Sequence, residues 1–338
     1  ASRPGGTAKF LLSGRAPHKP QPADRKNRFP FSRRNRHTAP MTRLVDILAG
    51  RGPLTGAELA AAGDFADVLE LWRACHVPGL VLRRTGRRYL RLDSAVEGYA
   101  RLSPSIRREF LTYTLVGLER QQAALEARAA ALEANAAAIS REKIDLARAS
   151  VCMAVAELPD EARLLRRAAF LIAGDVTYQM AHRVPRPEKS SGRMVRGSDL
   201  DVIVVVADDL PEAERRTLDE AIYRQKHYLL THPDVQEEID YVLKPLEKVR
   251  RQLACDRFEH MVACKILCEC RLLYGSPFLY DEILKLVDAS GARAKLDALR
   301  AAAETERAEA ERILLDPAAC AKNHLHLFYT REESEEIY

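Results

Sequence analysis

The chain has 338 residues, of which 30% are charged, and a formal net charge of +5. This length is enough for two or three domains with a real core, and no apolar run approaches the ~20 residues that span a bilayer. The seven cysteines are an odd number without the spacing of a disulfide framework, which favours reduced thiols in a cytoplasm. We therefore expect a cytoplasmic protein with no membrane partner.

Residues 1–40 differ from the rest of the chain in charge. They hold ten Lys or Arg residues against one acid, Asp24, and Pro and Gly recur throughout. Such a segment cannot bury a core, and we predict a disordered basic tail. The remaining chain has 43 basic and 47 acidic residues, a net charge of −4. One interpretation is that the tail binds nucleic acid nonspecifically. The other is that the tail is not native and that the protein starts at Met41, which opens the ordered sequence.

Residues 41–95 are predicted to form a winged helix-turn-helix. Residues 42–49 have helical periodicity and give the first helix. Thr55 and Glu58 have the spacing of a capping box, which predicts the start of a second helix. A third helix is expected over residues 64–75, where three acidic residues make a poor surface for the major groove of DNA.

The wing is predicted to be a hairpin of residues 80–84 and 88–92. Gly86 lies between the two segments and allows the positive φ that a tight turn needs. The hairpin is rich in arginines that are candidates for contact with a DNA or RNA backbone, namely Arg83, Arg84, Arg87, Arg88 and Arg91. A wing that docks on protein, or that serves only as a scaffold, remains the alternative.

Residues 103–157 are predicted to form one long helix, with Pro104 in its first turn. An apolar residue recurs every seven positions, and the facing positions are small or polar, which is typical of a coiled coil. The apolar stripe consists of Leu111, Leu118, Leu125, Leu132, Ile139 and Leu146. The pairing helix would come from a second subunit, giving a homodimer, or from the same chain; a solvated Ala-rich connector is the alternative.

The segment of residues 196–206, with the sequence RGSDLDVIVVV, places two carboxylates one residue apart, at Asp199 and Asp201. Side chains two apart in a strand point to the same face, so both carboxylates are directed at one spot. The β-branched run of residues 202–206 predicts a strand that is buried on both faces. A third acid, Asp240, lies between apolar residues of a second predicted strand.

These features resemble the DNA polymerase beta-like nucleotidyltransferase superfamily over about residues 160–290. That family has Gly-Ser-Asp-x-Asp before an apolar strand and an isolated acid in a later strand. The resemblance implies that Asp199, Asp201 and Asp240 hold two Mg²⁺ or Mn²⁺ ions, which bind a nucleoside triphosphate and activate an attacking hydroxyl. Carboxylate oxygens suit such hard cations, and two metals ~3.5–4 Å apart stabilise both the entering and the leaving oxygen.

The same resemblance suggests which residues contact the nucleotide. They are Gly174, Thr177, Gly197, Ser198, Arg257 and Lys265. The family has Gly-Ser where this chain has Gly174-Asp175, and an acid beside a polyanion repels it unless a metal intervenes. Residues 184–193 form a basic loop, which is interpreted either as a lid over the triphosphate or as a solvated insertion.

The rest of the chain is predicted to be helical around the two short strands. Helices are expected over residues 160–169, 211–227, 251–274 and 291–316. This divides the second half into a nucleotidyltransferase core at residues 160–250 and a C-terminal helical domain at residues 251–330. The whole protein is expected to be α+β and mostly helical, with a small mixed sheet.

The function expected from the sequence is Mg²⁺-dependent transfer of a nucleoside monophosphate from a triphosphate, with ATP as one candidate, to an acceptor hydroxyl, releasing pyrophosphate. The acceptor is a nucleic acid end, a protein or a small molecule, and the arginines favour nucleic acid. The alternative is a non-catalytic nucleotide- or nucleic-acid-binding regulatory protein with a degenerate domain, a hypothesis that Asp175 supports. Three carboxylates this close repel one another, so without metal at least one should have a raised pKa.

Overall fold

A computed structural model of the chain describes residues 40–63, 65, 67–188, 190–316, 318 and 322–330. The predicted basic tail lies outside the described residues except for Pro40, at which the first helix begins. Residues 39–338 group into one compact unit. Within the described part of the chain, every helix is too short or too polar to cross a membrane.

The fold is α+β and mostly helical, as the sequence predicts. The helices are α1 Pro40–Arg51, α2 Gly56–Gly63, α3 Val68–Ala74, α4 Ile106–Arg108, α5 Gln122–Ala156, α6 Glu161–Arg167, α7 Glu212–Thr231, α8 Leu246–Gln252, α9 Phe258–Glu269, α10 Pro277–Ala289 and α11 Ala292–Leu315. The strands are β1 Leu54–Thr55, β2 Leu80–Arg84, β3 Tyr89–Leu92, β4 Ala100–Ser103, β5 Thr114–Leu118, β6 Ala168–Ala173, β7 Pro185–Pro187, β8 Met194–Arg196, β9 Leu200–Val206, β10 Ile239–Pro245 and β11 Arg271–Gly275.

The N-terminal part packs α1, α2 and α3 around a three-stranded antiparallel sheet in the order β1-β5-β2. The predicted capping box is confirmed, because Thr55 N donates to Glu58 Oε2 (2.8 Å) and Glu58 N donates to Thr55 Oγ1 (3.2 Å). The third helix begins later than predicted, since Asp67 caps α3 by accepting from the N–H groups of Leu69 and Glu70.

The predicted hairpin between residues 80–84 and 88–92 is wrong. β2 pairs with β5, whereas β3 pairs with β4, and the two strands belong to different sheets. The cause is tertiary packing: Tyr89 stacks on Tyr178, with ring centroids 4.5 Å apart, and Leu90 is buried in the core that covers the central sheet. Burying these side chains outweighs the short turn that the sequence suggests.

The prediction of one helix over residues 103–157 is also wrong. Ser103 ends β4, residues 106–113 form helical turns, residues 114–118 are the buried strand β5, and α5 begins only at Gln122. The apolar stripe is therefore divided among several elements and is used within the chain. Leu125 packs against Leu115 of β5, while Ile139 and Leu146 pack on the core beside the central sheet. A second subunit is therefore not needed to cover this stripe.

The central sheet has four strands in the order β10-β9-β6-β11. β9 and β10 are parallel, and the other pairs are antiparallel. The predicted buried strand at residues 202–206 is confirmed, and its side chains alternate between two cores. Val202, Val204 and Val206 face α5, α6 and α7. Ile203 and Val205 face the C-terminal helices together with β3 and β4, and Asp201 shares this second face by its spacing.

The prediction of a helix over residues 251–274 is wrong. α8 and α9 are separate helices, and residues 271–275 form β11, which pairs with β6. Residues 271–275 of the predicted C-terminal helical domain thus belong to the central sheet as β11. The predicted helix over residues 291–316 is confirmed as α11, which packs on α9, β3 and β4. α7 extends to Thr231, four residues beyond its predicted end.

Candidate active site

Three carboxylate residues meet at one end of the central sheet. Asp199 ends the turn before β9, Asp201 lies in β9, and Asp240 is the direct neighbour of Asp201 in the parallel ladder of β9 and β10. Residues opposite one another in a parallel pair point to the same face, and adjacent strands are ~4.8 Å apart. The expectation that Asp240 lies on an adjacent strand, on the face of Asp201, is therefore met. Its further condition, that the three carboxylates lie within reach of one metal ion, is not met by the side chains of the described residues as they lie.

The carboxylate of Asp201 is in an unfavourable setting for a negative charge. Its pKa is raised to about 8, first by burial and then by the charges of Asp199, Asp175 and Asp240, against a smaller opposite effect of Lys265. The expectation that one acid has a raised pKa is confirmed, although burial contributes more than repulsion. Asp175 is a fourth acid at the site, which the sequence places beside Gly174 but does not connect to Asp201.

Gly174 allows the turn after β6 to pass close to Asp201. Its φ is +75°, and a Cβ atom built on it would lie 1.9 Å from Asp201 Oδ2. Glycine is required here both by the left-handed backbone and by the close approach. Gly197 has the same role in the turn before β9, since its φ is +74° and a Cβ would lie 1.8 Å from the carbonyl oxygen of His182.

Asp175 occupies the position that is Ser in the resembled family, and its carboxylate is held by two hydroxyls. Tyr89 Oη donates to Oδ1, and Ser198 Oγ donates to Oδ2 at 3.1 Å. Ser198 Oγ also accepts from the N–H of His182, while Thr177 Oγ1 donates to the carbonyl oxygen of Gly174. The hydroxyls predicted to bind the nucleotide therefore stabilise the turns around the site in this structure.

A cavity of about 840 Å³ opens beside Asp199 and Asp201. It is lined by Tyr89, Arg91, Leu92, Arg108, Ala173, Gly174, Asp175, His182, Arg186, Pro187, Glu188, Gly192, Ser198, Asp199, Asp201, Val262, Lys265, Ile266 and Glu269. Cationic side chains thus share the cavity with the carboxylates. His182 adds no positive charge at neutral pH, because burial and then the charge of Arg108 lower its pKa to about 4.

The two cations predicted to contact the triphosphate have different positions. Lys265 lines the cavity, where its Nζ donates to Glu269 Oε1 at 2.7 Å and lies 5.4 Å from the ring centroid of Tyr89. Arg257 is not brought to the site. It precedes α9, and its Nε donates to Nε2 of His260 at 3.0 Å.

Arg186 is a site residue that the sequence analysis missed. Its Nε donates to the carbonyl oxygen of Gly197 (2.9 Å), and its Nη2 donates to Glu238 Oε2 (2.7 Å) and lies 3.6 Å from Asp199 Oδ2. The only signal in the sequence was its place in the basic loop of residues 184–193. That loop forms the β7-β8 hairpin, and its wall position favours the lid interpretation over a solvated insertion.

Glu188 holds the tip of this hairpin together. Its carboxylate accepts from the N–H and the hydroxyl of both Ser190 and Ser191, at 2.6–2.9 Å. These bonds lower the pKa of Glu188 to about 2, with the hydroxyl of Ser191 as the largest cause. The carboxylate of Glu188 therefore stays ionised and accepts these hydrogen bonds across the physiological pH range.

The five predicted nucleic-acid arginines do not form one surface. Arg83 pairs with Glu126 on α5, and Arg88 is bound by Glu109 and Glu311 at 2.7 and 2.6 Å. Arg91 lines the cavity of the carboxylates. Arg84 and Arg87 are exposed and, together with Arg88, line a second cavity of about 620 Å³. This second cavity shares Tyr89, Lys265 and Glu269 with the first.

The donor set fits a hard divalent cation in its chemistry. As the side chains lie, no three His, Cys, Asp or Glu residues in the described part of the chain are arranged to hold a metal ion. However, Asp199, Asp201 and Asp240 offer only carboxylate oxygens, the ligands that Mg²⁺ and Mn²⁺ prefer. A cation among them would also offset the repulsion that Asp201 experiences.

Comparisons of the chain with protein-family models, with curated proteins and with solved structures found no match.

Proposed function

We propose that this protein is a metal-dependent nucleotidyltransferase. It would transfer a nucleoside monophosphate from a nucleoside triphosphate to an acceptor hydroxyl and release pyrophosphate. The observation that carries this proposal is the placement of Asp199 and Asp201 two residues apart, with Asp240 paired to Asp201 on the same face, beside a cavity that also contains cations. Carboxylates and cations in one cavity suit a polyphosphate bound together with divalent metals.

In this proposal each side chain has a distinct role. Asp199 and Asp201 would hold the metal ions, and Asp240 would help to hold them and to deprotonate the acceptor hydroxyl. Two bound Mg²⁺ or Mn²⁺ ions would stabilise charge on the entering and leaving oxygens. Lys265 and Arg186 lie at the cavity wall and would bind phosphate oxygens. Gly174 has no side chain, so the backbone of the turn after β6 can come close to the carboxylate of Asp201.

The order of elements around the site supports the resemblance noted in the sequence. α6 leads into β6, a glycine turn follows, β9 runs antiparallel to β6, and α7 connects β9 to the parallel strand β10. We also propose that the N-terminal part is a winged helix. Three helices and a sheet in the order β1-β5-β2 fit that fold, with residues 85–113 inserted where a wing would lie.

The acceptor that we favour is a nucleic acid end. Arg84 and Arg87 line the second cavity, which adjoins the carboxylate cavity at Tyr89, Lys265 and Glu269. Exposed arginines at such a position suit phosphate groups of a polynucleotide. The alternative acceptors are a protein hydroxyl and a small molecule.

Binding without turnover is the second candidate function, and two observations favour it. Asp175 adds a fourth negative charge at the position of the family's serine, and Arg186 lies 3.6 Å from Asp199, where it competes with a metal ion. In this case the domain would bind nucleotide or nucleic acid and act as a regulator.

One experiment separates the two functions. The protein is incubated with each labelled nucleoside triphosphate and Mg²⁺ or Mn²⁺, with and without RNA, and both bound and transferred label are measured. Transfer by the unmodified protein and none by Asp201→Asn supports the enzyme. Metal-dependent binding of a nucleotide with no transferred label supports the regulator.

A further inference from the structure

The turn that leads into β9 is held by two cations. Lys143 Nζ donates to the carbonyl oxygens of Arg196 (2.8 Å) and Ser198 (2.7 Å), and Arg186 Nε donates to that of Gly197 (2.9 Å). Three consecutive carbonyl groups, which immediately precede Asp199, are thus all bound by side chains, from Lys143 at 53 and 55 residues' distance in sequence and from Arg186 at 11.

Each cation is in turn bound to a glutamate that leads into β10. Lys143 Nζ forms a close ion pair with Glu237, and Arg186 Nη2 donates to Glu238 at 2.7 Å. Glu237 and Glu238 precede Asp240 by three and two residues. The two cations therefore connect the turn of Asp199 with the segment that carries Asp240.

The two cations differ in their surroundings. The side chain of Lys143 is 3% exposed and lies on α5, away from the cavity lining, so it meets only protein groups. Arg186 lies at the cavity wall and also approaches Asp199. A ligand in the cavity can therefore recruit Arg186 without disturbing Lys143.

We infer that Lys143 is a positioning residue, which fixes the separation between the turn of Asp199 and the strand of Asp240 by bonding to Arg196, Ser198 and Glu237 at once. This inference rests on the proposed function, because the separation matters only if these carboxylates share metal ions. Removing a hydrogen-bond partner of a metal-ligating group typically lowers metal affinity by about 10–100-fold, and Lys143, which acts on the backbone next to Asp199, should have an effect near the lower end of that range.

The variant that tests this inference is Lys143→Met combined with Glu237→Leu. Removing Lys143 alone would leave the carboxylate of Glu237 buried without a partner, whereas an apolar pair of similar volume usually preserves folding. The matched control is Arg148→Met, which removes a cation from the same helix. Arg148 donates to the carbonyl oxygen of Leu273 and does not contact the turn.

Two measurements are made on each protein: Mn²⁺ affinity by calorimetry, and amide hydrogen exchange without metal. Exchange is informative here because the N–H groups of Arg196 and Leu200 donate to the carbonyl oxygens of Gln236 and Glu238. We expect the double variant to bind Mn²⁺ about 10-fold more weakly or worse, with faster exchange confined to residues 196–200 and 237–240. The control should match the unmodified protein in both.

The outcomes separate this inference from the proposed function. A folded double variant with unchanged Mn²⁺ affinity and unchanged exchange overturns the role of Lys143. If the unmodified protein itself binds no Mn²⁺, the proposed function fails, and local exchange alone decides whether Lys143 holds the turn. Should the double variant not fold, Glu237→Leu replaces it, because Lys143 then keeps its two carbonyl partners and loses only its bond to the segment before β10. Equal affinity and exchange in that variant would overturn the link to β10.

Discussion

A methyl group on Gly174 would lie 1.9 Å from Oδ2 of Asp201, so the turn after β6 and the carboxylate of β9 keep their present positions only with glycine at this position. Gly174→Ala should displace the side chain of Asp201 and reduce nucleotidyl transfer to background. The backbone of Gly174, with a φ of +75° and a ψ of −159°, adds about 1–3 kcal/mol of destabilisation for any other residue. Turnover and the thermal midpoint are the measurements.

Gly291→Ala is the control for that variant. Gly291 also has a positive φ, +71°, but it lies outside both cavities and a Cβ there meets no atom within 4 Å. It should lose about 1–2 kcal/mol of stability with much smaller loss of turnover. Equal losses of turnover in both variants would contradict a specific role for the contact between Gly174 and Asp201.

The raised pKa of Asp201 predicts how stability depends on pH in the absence of metal. The folded protein keeps the proton up to about pH 8, whereas the unfolded chain releases it near 3.8. Between these values the folded state binds more protons, so this group makes the free energy of unfolding fall as pH rises from about 4 to 8. Asp201→Asn lacks this contribution and should become increasingly more stable than the unmodified protein over that window.

Denaturant unfolding in the presence of a chelator, at several pH values from 4 to 8, measures this difference. The comparison with Asp201→Asn removes the contributions of all other titrating groups that the two proteins share. A constant difference in unfolding free energy across the window would contradict burial of the Asp201 carboxylate.

The sequence predicts those features that depend on local pattern. The strand of residues 202–206 follows from a β-branched run. Asp199 and Asp201 line one cavity, as their two-residue spacing predicts, although Asp199 precedes the strand. The capping box at Thr55 and Glu58 is equally local, and both of its hydrogen bonds form.

The features that the sequence could not predict depend on distant contacts. Lys143 is placed by the heptad pattern among polar positions of a coiled coil, yet it is buried because carbonyl groups 53 and 55 residues away need a donor. Tyr89 looks like the start of a wing strand, yet it joins the core with Tyr178 and binds Asp175. Such contacts depend on how the whole chain packs, and the periodicity of a short segment of sequence does not predict them.

Leu125 tests the finding that the apolar stripe is used within the chain. This side chain is fully buried against Leu115 and Ala129. Leu125→Ala should cost about 2–5 kcal/mol of unfolding free energy, at any protein concentration. The control, Leu315→Ala, shortens a side chain that is 37% exposed and should cost much less. A destabilisation of Leu125→Ala that depends on protein concentration would instead indicate a subunit interface.

The second cavity is tested by Arg84→Gln with Arg87→Gln, in protein that lacks residues 1–40, whose charge would obscure the effect. Both residues line this cavity, whereas Arg83, on the same strand as Arg84, pairs with Glu126 outside it. We expect the double variant to bind RNA more weakly, and the slope of log affinity against log salt to fall by about 1 for each phosphate that is no longer neutralised. Arg83→Gln is the control, and equal effects of all three substitutions would indicate nonspecific charge.

The strictest test of the site is removal of its carboxylates one at a time. Asp201→Asn and Asp240→Asn each remove one carboxyl group from neighbouring positions of the β9-β10 ladder. Each should lower metal-dependent transfer by more than about 100-fold, which exceeds the usual effect of changing a group that only supports a ligand. Neither should lower the thermal midpoint without metal, because each relieves repulsion within the acidic cluster.

Asp234→Asn is the matched control, since Asp234 is exposed and lies six residues before Asp240. It should retain full turnover and the same Mn²⁺ affinity as the unmodified protein. Turnover, Mn²⁺ affinity and the thermal midpoint are compared for all three variants. Full metal-dependent turnover by Asp201→Asn would overturn the catalytic assignment, and full turnover by Asp240→Asn alone would restrict the metal site to the turn and strand of Asp199 and Asp201.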